Sequence, residues 1–148
     1  MGKSVLIVNG PNLNMLGRRE PEIYGKTTLQ DIESLCAQHA GHKDWSIEFM
    51  QSNHEGAMID ALQAALGKHD GIIINAAAYT HTSVALMDAI KATNLPCIEV
   101  HLSNIFSREE FRHKSYISSV ATGVICGFGA KGYTLAMDAL ADNFDTHK

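Results

Sequence analysis

Short runs of branched aliphatic residues recur along this chain, each closed by Gly, Pro or Asn and each followed by a stretch with helical spacing. The runs are Lys3 to Val8 (KSVLIV), Gly71 to Ile74 (GIII), Cys97 to His101 (CIEVH) and Thr122 to Cys126 (TGVIC). Such continuous apolar runs suit strands covered on both faces, whereas Ser46 to Gln51 (SIEFMQ) alternates and reads as a half-covered edge strand. Helical patterns fill the gaps over Thr28 to Ala40, with Thr28 as N-cap, and over His54 to Lys68, Thr82 to Thr93 and Tyr133 to Phe144. Strands that alternate with helices make a doubly wound parallel sheet with helices on both faces.

Five strands are the count of the flavodoxin-like version of that α/β architecture, and 148 residues suit a single domain spanning positions 1–148. Hydrophobic residues make up 45% and charged residues 19%, which is globular composition without repeats or low-complexity tracts. A net charge of −4 gives no general attraction to nucleic acid or to an anionic membrane, so a bound anion must be held locally. Cys36, Cys97 and Cys126 lie far apart inside apolar segments and read as reduced core residues of a cytoplasmic protein. No segment has the length of a membrane span or of a signal-peptide core.

In open parallel sheets, ligands bind outside the carboxyl ends of the strands, where the strand order reverses. The unusual polar residues sit at those ends. NGPNLNMLGRREPEIYG (9–25) follows the first strand, NAAAYTHTS (75–83) the third, and EVHLSN (99–104) runs into IFSREEFRHKS after the fourth. Arg18, Arg19, Arg108 and Arg112 are all the arginines of the chain and fall in two of these segments, while the lysines are scattered. A guanidinium fork matches a planar carboxylate or phosphate better than an ammonium does, so this segregation points to an anionic substrate; taken singly, either Arg18 or Arg108 can equally be a solvated loop residue.

Two familiar motifs are set aside. GFGAKG (127–132) matches G-x-G-x-x-G between a strand and a helix, but it is the last such turn and no later strand offers the acidic ribose-binding residue. Tight helix–sheet packing explains its glycines instead. His39, His42, His54, His69 and His147 fall on helix surfaces, turns or the terminus, and no spacing among the histidines or cysteines fits a metal site.

Proton-transfer chemistry remains. Glu99 and His101 are two apart on one strand and share a face, and a carboxylate beside an imidazole fixes its tautomer and makes a competent general acid. A satisfied core histidine is the equal alternative from the strand alone. Tyr24 in the opening loop is either a packing anchor or, held against Arg19, a phenol that ionises below its ordinary range and acts as a base.

NGPNLNMLGRREPEIYG, NAAAYTHTSVALMDAI, IEVHLSNIFSREEFRHKSYIS and TGVICGFGAKGY resemble, in order and spacing, the signature segments of the type II 3-dehydroquinate dehydratases. The resemblance runs from Val5 to about Leu140. It implies a flavodoxin-like lyase of the shikimate or quinate pathway, without cofactor, metal or Schiff base, assembled as a dodecamer of trimers. It also implies residue roles. Tyr24 would be the base for the C2 proton, supported by Arg19 and Arg108, in a lid over residues 17–25 hinged at Gly17 and Gly25. Asn12 would help stabilise the enolate, and His101, oriented by Glu99, would protonate the departing C1 hydroxyl. Asn75, the Leu102 N–H and Ser103 would bind substrate, with Leu102 and Ser103 on its carboxylate; His81 and Arg112 would hold ring hydroxyls, and Asp88 would reach a neighbouring subunit's site. The chain departs from the family's pattern at Ala77, where glycine is common, and at His113, where arginine is frequent.

Overall fold

The computed structural model describes residues 2–18, residue 22 and residues 25–147. Among them β1 (Ser4–Asn9), β2 (Ser46–Gln51), β3 (Gly71–Asn75), β4 (Cys97–His101) and β5 (Gly123–Cys126) form one parallel sheet in the order β2-β1-β3-β4-β5. The intervening helices are α1 (Leu29–His42), α2 (Glu55–Ala64), α3 (Val84–Thr93) and α4 (Lys131–Thr146). This is the expected five-stranded, flavodoxin-like α/β fold.

Strand alternation divides the core into two layers. Val5, Ile7, Ile73, Ile98 and Val100 face α1 and α4, meeting Ile32, Cys36, Met137 and Leu140. Leu6, Val8, Ile72, Ile74 and Cys97 face α2 and α3, meeting Met58, Leu62, Leu86 and Ile90. Neither face of the central strands is left to solvent, which is why their sequences read as unbroken apolar runs.

Local chemistry explains the element ends. Thr28 caps α1 as expected, and does so reciprocally: its hydroxyl accepts the Asp31 N–H at 3.1 Å, and Asp31 accepts the Thr28 N–H at 3.0 Å. Ser83, one residue beyond the expected start, caps α3 by accepting the Leu86 N–H at 2.9 Å. The helix expected to reach Lys68 stops at Ala64, and Gly67 turns the chain with φ +75° toward β3.

Two expectations are corrected. β5 is an edge strand and is not covered on both faces; Val124 is 43% exposed. Cys36 and Cys97 are buried, but Cys126 is only half-buried. Burial, helped by Glu33, pushes the Cys36 thiol up to about 12, so it stays an inert core thiol. His69 closes the turn after α2, as expected, and is buried there: at 8% exposure its Nε2–H donates to Glu48 at 2.8 Å, and its Nδ1 accepts from the Ser4 hydroxyl at 2.7 Å. That imidazole ties the start of β1 to β2, and its hydrogen bond leads the influences holding the Glu48 carboxyl below the usual range.

Candidate active site

The sheet order reverses between β1 and β3, and their register sets Asn9 beside Asn75 at the carboxyl ends. Two buried amides side by side must find partners. The Asn75 Nδ2 donates to the Tyr133 hydroxyl at 3.1 Å, that hydroxyl donates to Asn9 Oδ1 at 2.6 Å, and Asn9 Nδ2 donates to the Met50 carbonyl at 3.0 Å. Asn75 Oδ1 accepts the Ala77 N–H at 3.2 Å. Burial pushes the Tyr133 phenol above its ordinary value, so it works as a neutral link that fixes which way the Asn75 amide points. Gly10 closes the same corner: its N–H donates to the Asn75 carbonyl at 2.8 Å, and a Cβ there would lie 2.3 Å from the Ala76 carbonyl oxygen. Tyr133→Phe leaves Asn9 and Asn75 each short of a buried partner; we expect a stability loss of about 2 kcal/mol, read by urea denaturation.

At the end of β4, Glu99 and His101 share a face as expected. The Glu99 side chain, 1% exposed, accepts from His101 Nε2 at 2.5 Å, from Ser115 Oγ at 2.8 Å and from Ser118 Oγ at 2.5 Å. Burial works to raise its carboxyl, but the hydrogen bonds from His101, Ser118 and Ser115 win and hold it below the ordinary range. An ionised Glu99 can only accept, so His101 carries a proton on Nε2 and is left with Nδ1 for the pocket it lines.

His81 lies parallel to His101, with ring centroids 6.4 Å apart and planes at 20°. Its Nδ1–H donates to the Lys114 carbonyl at 2.8 Å, leaving Nε2 as an acceptor on the pocket wall. Burial lowers its pKa from the ordinary 6.5, aided by the charges of His101 and Arg112 and opposed by the Lys114 carbonyl and Glu99. A base whose folded pKa is depressed takes up its proton more readily when unfolded. Stability therefore rises with pH up to about the ordinary imidazole value and is lost on acidification below it; His81→Gln should flatten that slope in urea titrations across pH 5 to 7, roughly the range of imidazole titration.

The opening loop is pinned at its root. Asn12 adopts φ +70°, its N–H donates to Asn53 Oδ1 at 2.9 Å, and Gln51 Nε2 donates to the Gly10 carbonyl at 3.1 Å. Gly17 and Gly25 both have left-handed φ, +87° and +75°, a conformation favoured by glycine. Arg19 and Tyr24 lie outside the described residues. On the far wall, Leu102 and Ser103 line the pocket, followed by Arg108 and Arg112. Glu109 lies between the two guanidiniums, 3.2 Å from Arg112 Nε and 3.8 Å from Arg108 Nε. His113, the departure from arginine, has a positional role: its Nε2–H donates to the Arg108 carbonyl at 3.0 Å.

GFGAKG serves β4. Gly127 and Gly129, both at positive φ, donate their N–H groups to the His101 and Leu102 carbonyls at 3.3 and 2.9 Å, and Gly132 packs against Val100 and Ile125. Ala77 lines the pocket with φ +53°, so the residue that replaces the family's frequent glycine holds a left-handed backbone against its Cβ.

The pocket thus gathers Asn12, Asn75, His81, His101, Leu102, Ser103, Arg108 and Arg112 from the sequence-derived set, with Glu99 directly behind His101. Asp88 is not brought to it; it lines a separate depression with Lys91, Asn94 and Ser119. Sequence reasoning missed Asn9, Tyr133, Ser115 and Ser118. Only the proximity of HKSYIS to the arginine segment hinted at the serines. Among the described residues, no cluster of three His, Cys, Asp or Glu side chains is placed to hold a metal, and no helix is long and apolar enough to cross a membrane.

Comparison with known proteins follows the same lines. The 3-dehydroquinate dehydratase of Ruegeria pomeroyi is 59% identical over 138 residues, covering 93% of each chain. The catabolic 3-dehydroquinase of Aspergillus oryzae is 53% identical over 148 residues, covering all of this chain and 97% of the relative. The crystal structure of the type II dehydroquinase from Butyrivibrio crossotus superposes with a TM-score of 0.93 at 45% identity, over 95% of this chain and 98% of that one. The family model described as "Dehydroquinase class II" matches residues 3–141. With these matches spanning the sheet, its helices and the pocket, the chain belongs to the class II dehydroquinase family.

Proposed function

We propose that this chain dehydrates 3-dehydroquinate to 3-dehydroshikimate by syn elimination through an enolate, in the shikimate or the quinate pathway. The observation that carries the reading is the His101–Glu99 pair at the floor of a pocket whose wall bears Arg108 and Arg112. Elimination of water beside a ketone needs a base for the proton on C2 and an acid for the hydroxyl on C1. Tyr24 is the base, with Arg19 and Arg108 favouring tyrosinate. As the C2 proton leaves, its electron pair enters the enolate, whose charge Asn12 stabilises together with an ordered water near Pro11. Collapse of the enolate forms the C1–C2 double bond and expels the C1 hydroxyl, which takes a proton from His101 and departs as water.

The remaining roles are those the family resemblance implies. Leu102 N–H and Ser103 hold the substrate carboxylate, Asn75 offers its oriented amide, and His81 and Arg112 meet the ring hydroxyls. The lid over residues 17–25 closes on this arrangement and keeps water from the enolate. Asp88, turned away from its own pocket, completes a neighbour's, in a cytoplasmic dodecamer of trimers. No metal, cofactor or lysine Schiff base enters the scheme.

The test is direct. Purified protein mixed with 3-dehydroquinate should generate the ultraviolet absorbance of the conjugated enone, unaffected by a chelator or by earlier treatment of the protein with borohydride in the presence of substrate. A correctly assembled protein that gives no enone would refute the assignment.

A further inference from the structure

The Glu99 carboxylate has two oxygens with different neighbours. Oε2 receives His101 Nε2 and the Ser115 hydroxyl; among the described residues, Oε1 receives the Ser118 hydroxyl alone, at 2.5 Å. The two serines also differ. Ser115 Oγ accepts the backbone N–H groups of Ile117 and Ser118, each at 3.1 Å, so it builds the turn as well as touching Glu99. Among the described residues, the Ser118 side chain has no such second duty. The residue as a whole is exposed, yet its hydroxyl reaches a carboxylate that is almost fully buried.

We propose that Ser118 is a positioning residue for the Glu99–His101 pair, its hydroxyl anchoring Oε1 so that the proton in the 2.5 Å contact stays on His101 Nε2. The inference rests on His101 being the general acid of the proposed elimination. The proton in that contact has two homes. On Nε2 it makes the pair an imidazolium facing a carboxylate, and the Nδ1–H toward the pocket is then acidic. If it moves to Oε2, the Nε2 lone pair is restored, Glu99 becomes neutral, and the Nδ1–H belongs to a neutral ring, a far weaker acid. Ser118 favours the charged carboxylate and so the first arrangement.

Other titratable or charged groups surround the pair and stay in place when Ser118 changes. They are His81 on the β3–α3 connection, Arg108 and Arg112 after β4, Cys97 on β4 and Cys126 on β5.

Three variants test this. Ser118→Ala removes only the hydroxyl, Ser118→Thr keeps it, and Ser119→Ala is a control whose hydroxyl bonds the Tyr116 carbonyl and Met87. For Ser118→Ala we expect the plateau of kcat against pH to fall roughly tenfold with KM little changed. Its basic limb should move up by about one pH unit, because the doubly deprotonated pair, with a lone buried carboxylate, loses most from the missing donor. The 15N resonances of the His101 ring should shift in the same sense. Ser118→Thr and Ser119→Ala should match the unaltered protein.

An alanine variant with unaltered plateau, limb and 15N titration overturns the proposal, as does a threonine variant that behaves like alanine. The ring titration separates this from the reaction assignment. If the unaltered protein fails to turn over 3-dehydroquinate, the reaction is wrong, while a His101 titration that moves with Ser118 still supports the positioning role and one that does not overturns it.

Discussion

Replacing His101 by alanine is expected to lower the rate of elimination by about two to four orders of magnitude, the usual contribution of a positioned general acid, while exchange of the C2 proton continues. The reason lies in the two halves of the site. Proton abstraction is assigned to the opening loop, and proton donation to the end of β4, where His101 is held by Glu99. Without the imidazole, hydroxide must leave the enolate unaided, so the enolate returns to ketone more often than it goes forward. Glu99 retains Ser115 and Ser118 as donors, which keeps the carboxylate satisfied and the turn around it in place. The measurement is loss of the C2 proton signal in deuterated buffer, followed beside enone formation. Parallel loss of both rates would show that His101 organises the whole pocket and is not the acid alone.

Tyr24→Phe is expected to reduce kcat by a comparable two to four orders of magnitude with KM close to unaltered. A phenol ionises near 10 in water, so as a base at neutral pH it depends on cations beside it, and Arg19 and Arg108 are the groups assigned that task. Phenylalanine keeps the ring and removes only the proton acceptor. Because the lost interaction forms with the transition state and not with bound substrate, the effect should fall on turnover. C2 proton exchange should vanish together with elimination, opposite to the His101→Ala pattern. A large rise in KM at constant kcat would instead make Tyr24 a binding residue.

How far these residues could be read in advance depended on how local their physics is. Thr28 and Asp31 form their capping box within one turn, so a cap was legible from a few residues, and the strands were legible because burial on both faces demands apolar side chains at every position. β5 reads the same way yet lies at an edge, since position within the sheet is set by topology and not by composition. The pairing of Glu99 with His101 was visible from their spacing of two on a strand.

Sequence alone therefore determined the class of fold, the strand ends at which chemistry-bearing residues collect, and the family resemblance that assigns them roles. Only the tertiary structure decided what holds them still. Tyr133 reaches Asn9 across 124 positions, His69 reaches Ser4 across 65, and Ser118 reaches Glu99 across 19. Each is an ordinary residue in its own segment, and its partner is chosen by helix packing and strand register. A buried hydroxyl, amide or carboxylate must be matched by whatever group the fold brings within about 3 Å, and no local pattern in the chain encodes that distance.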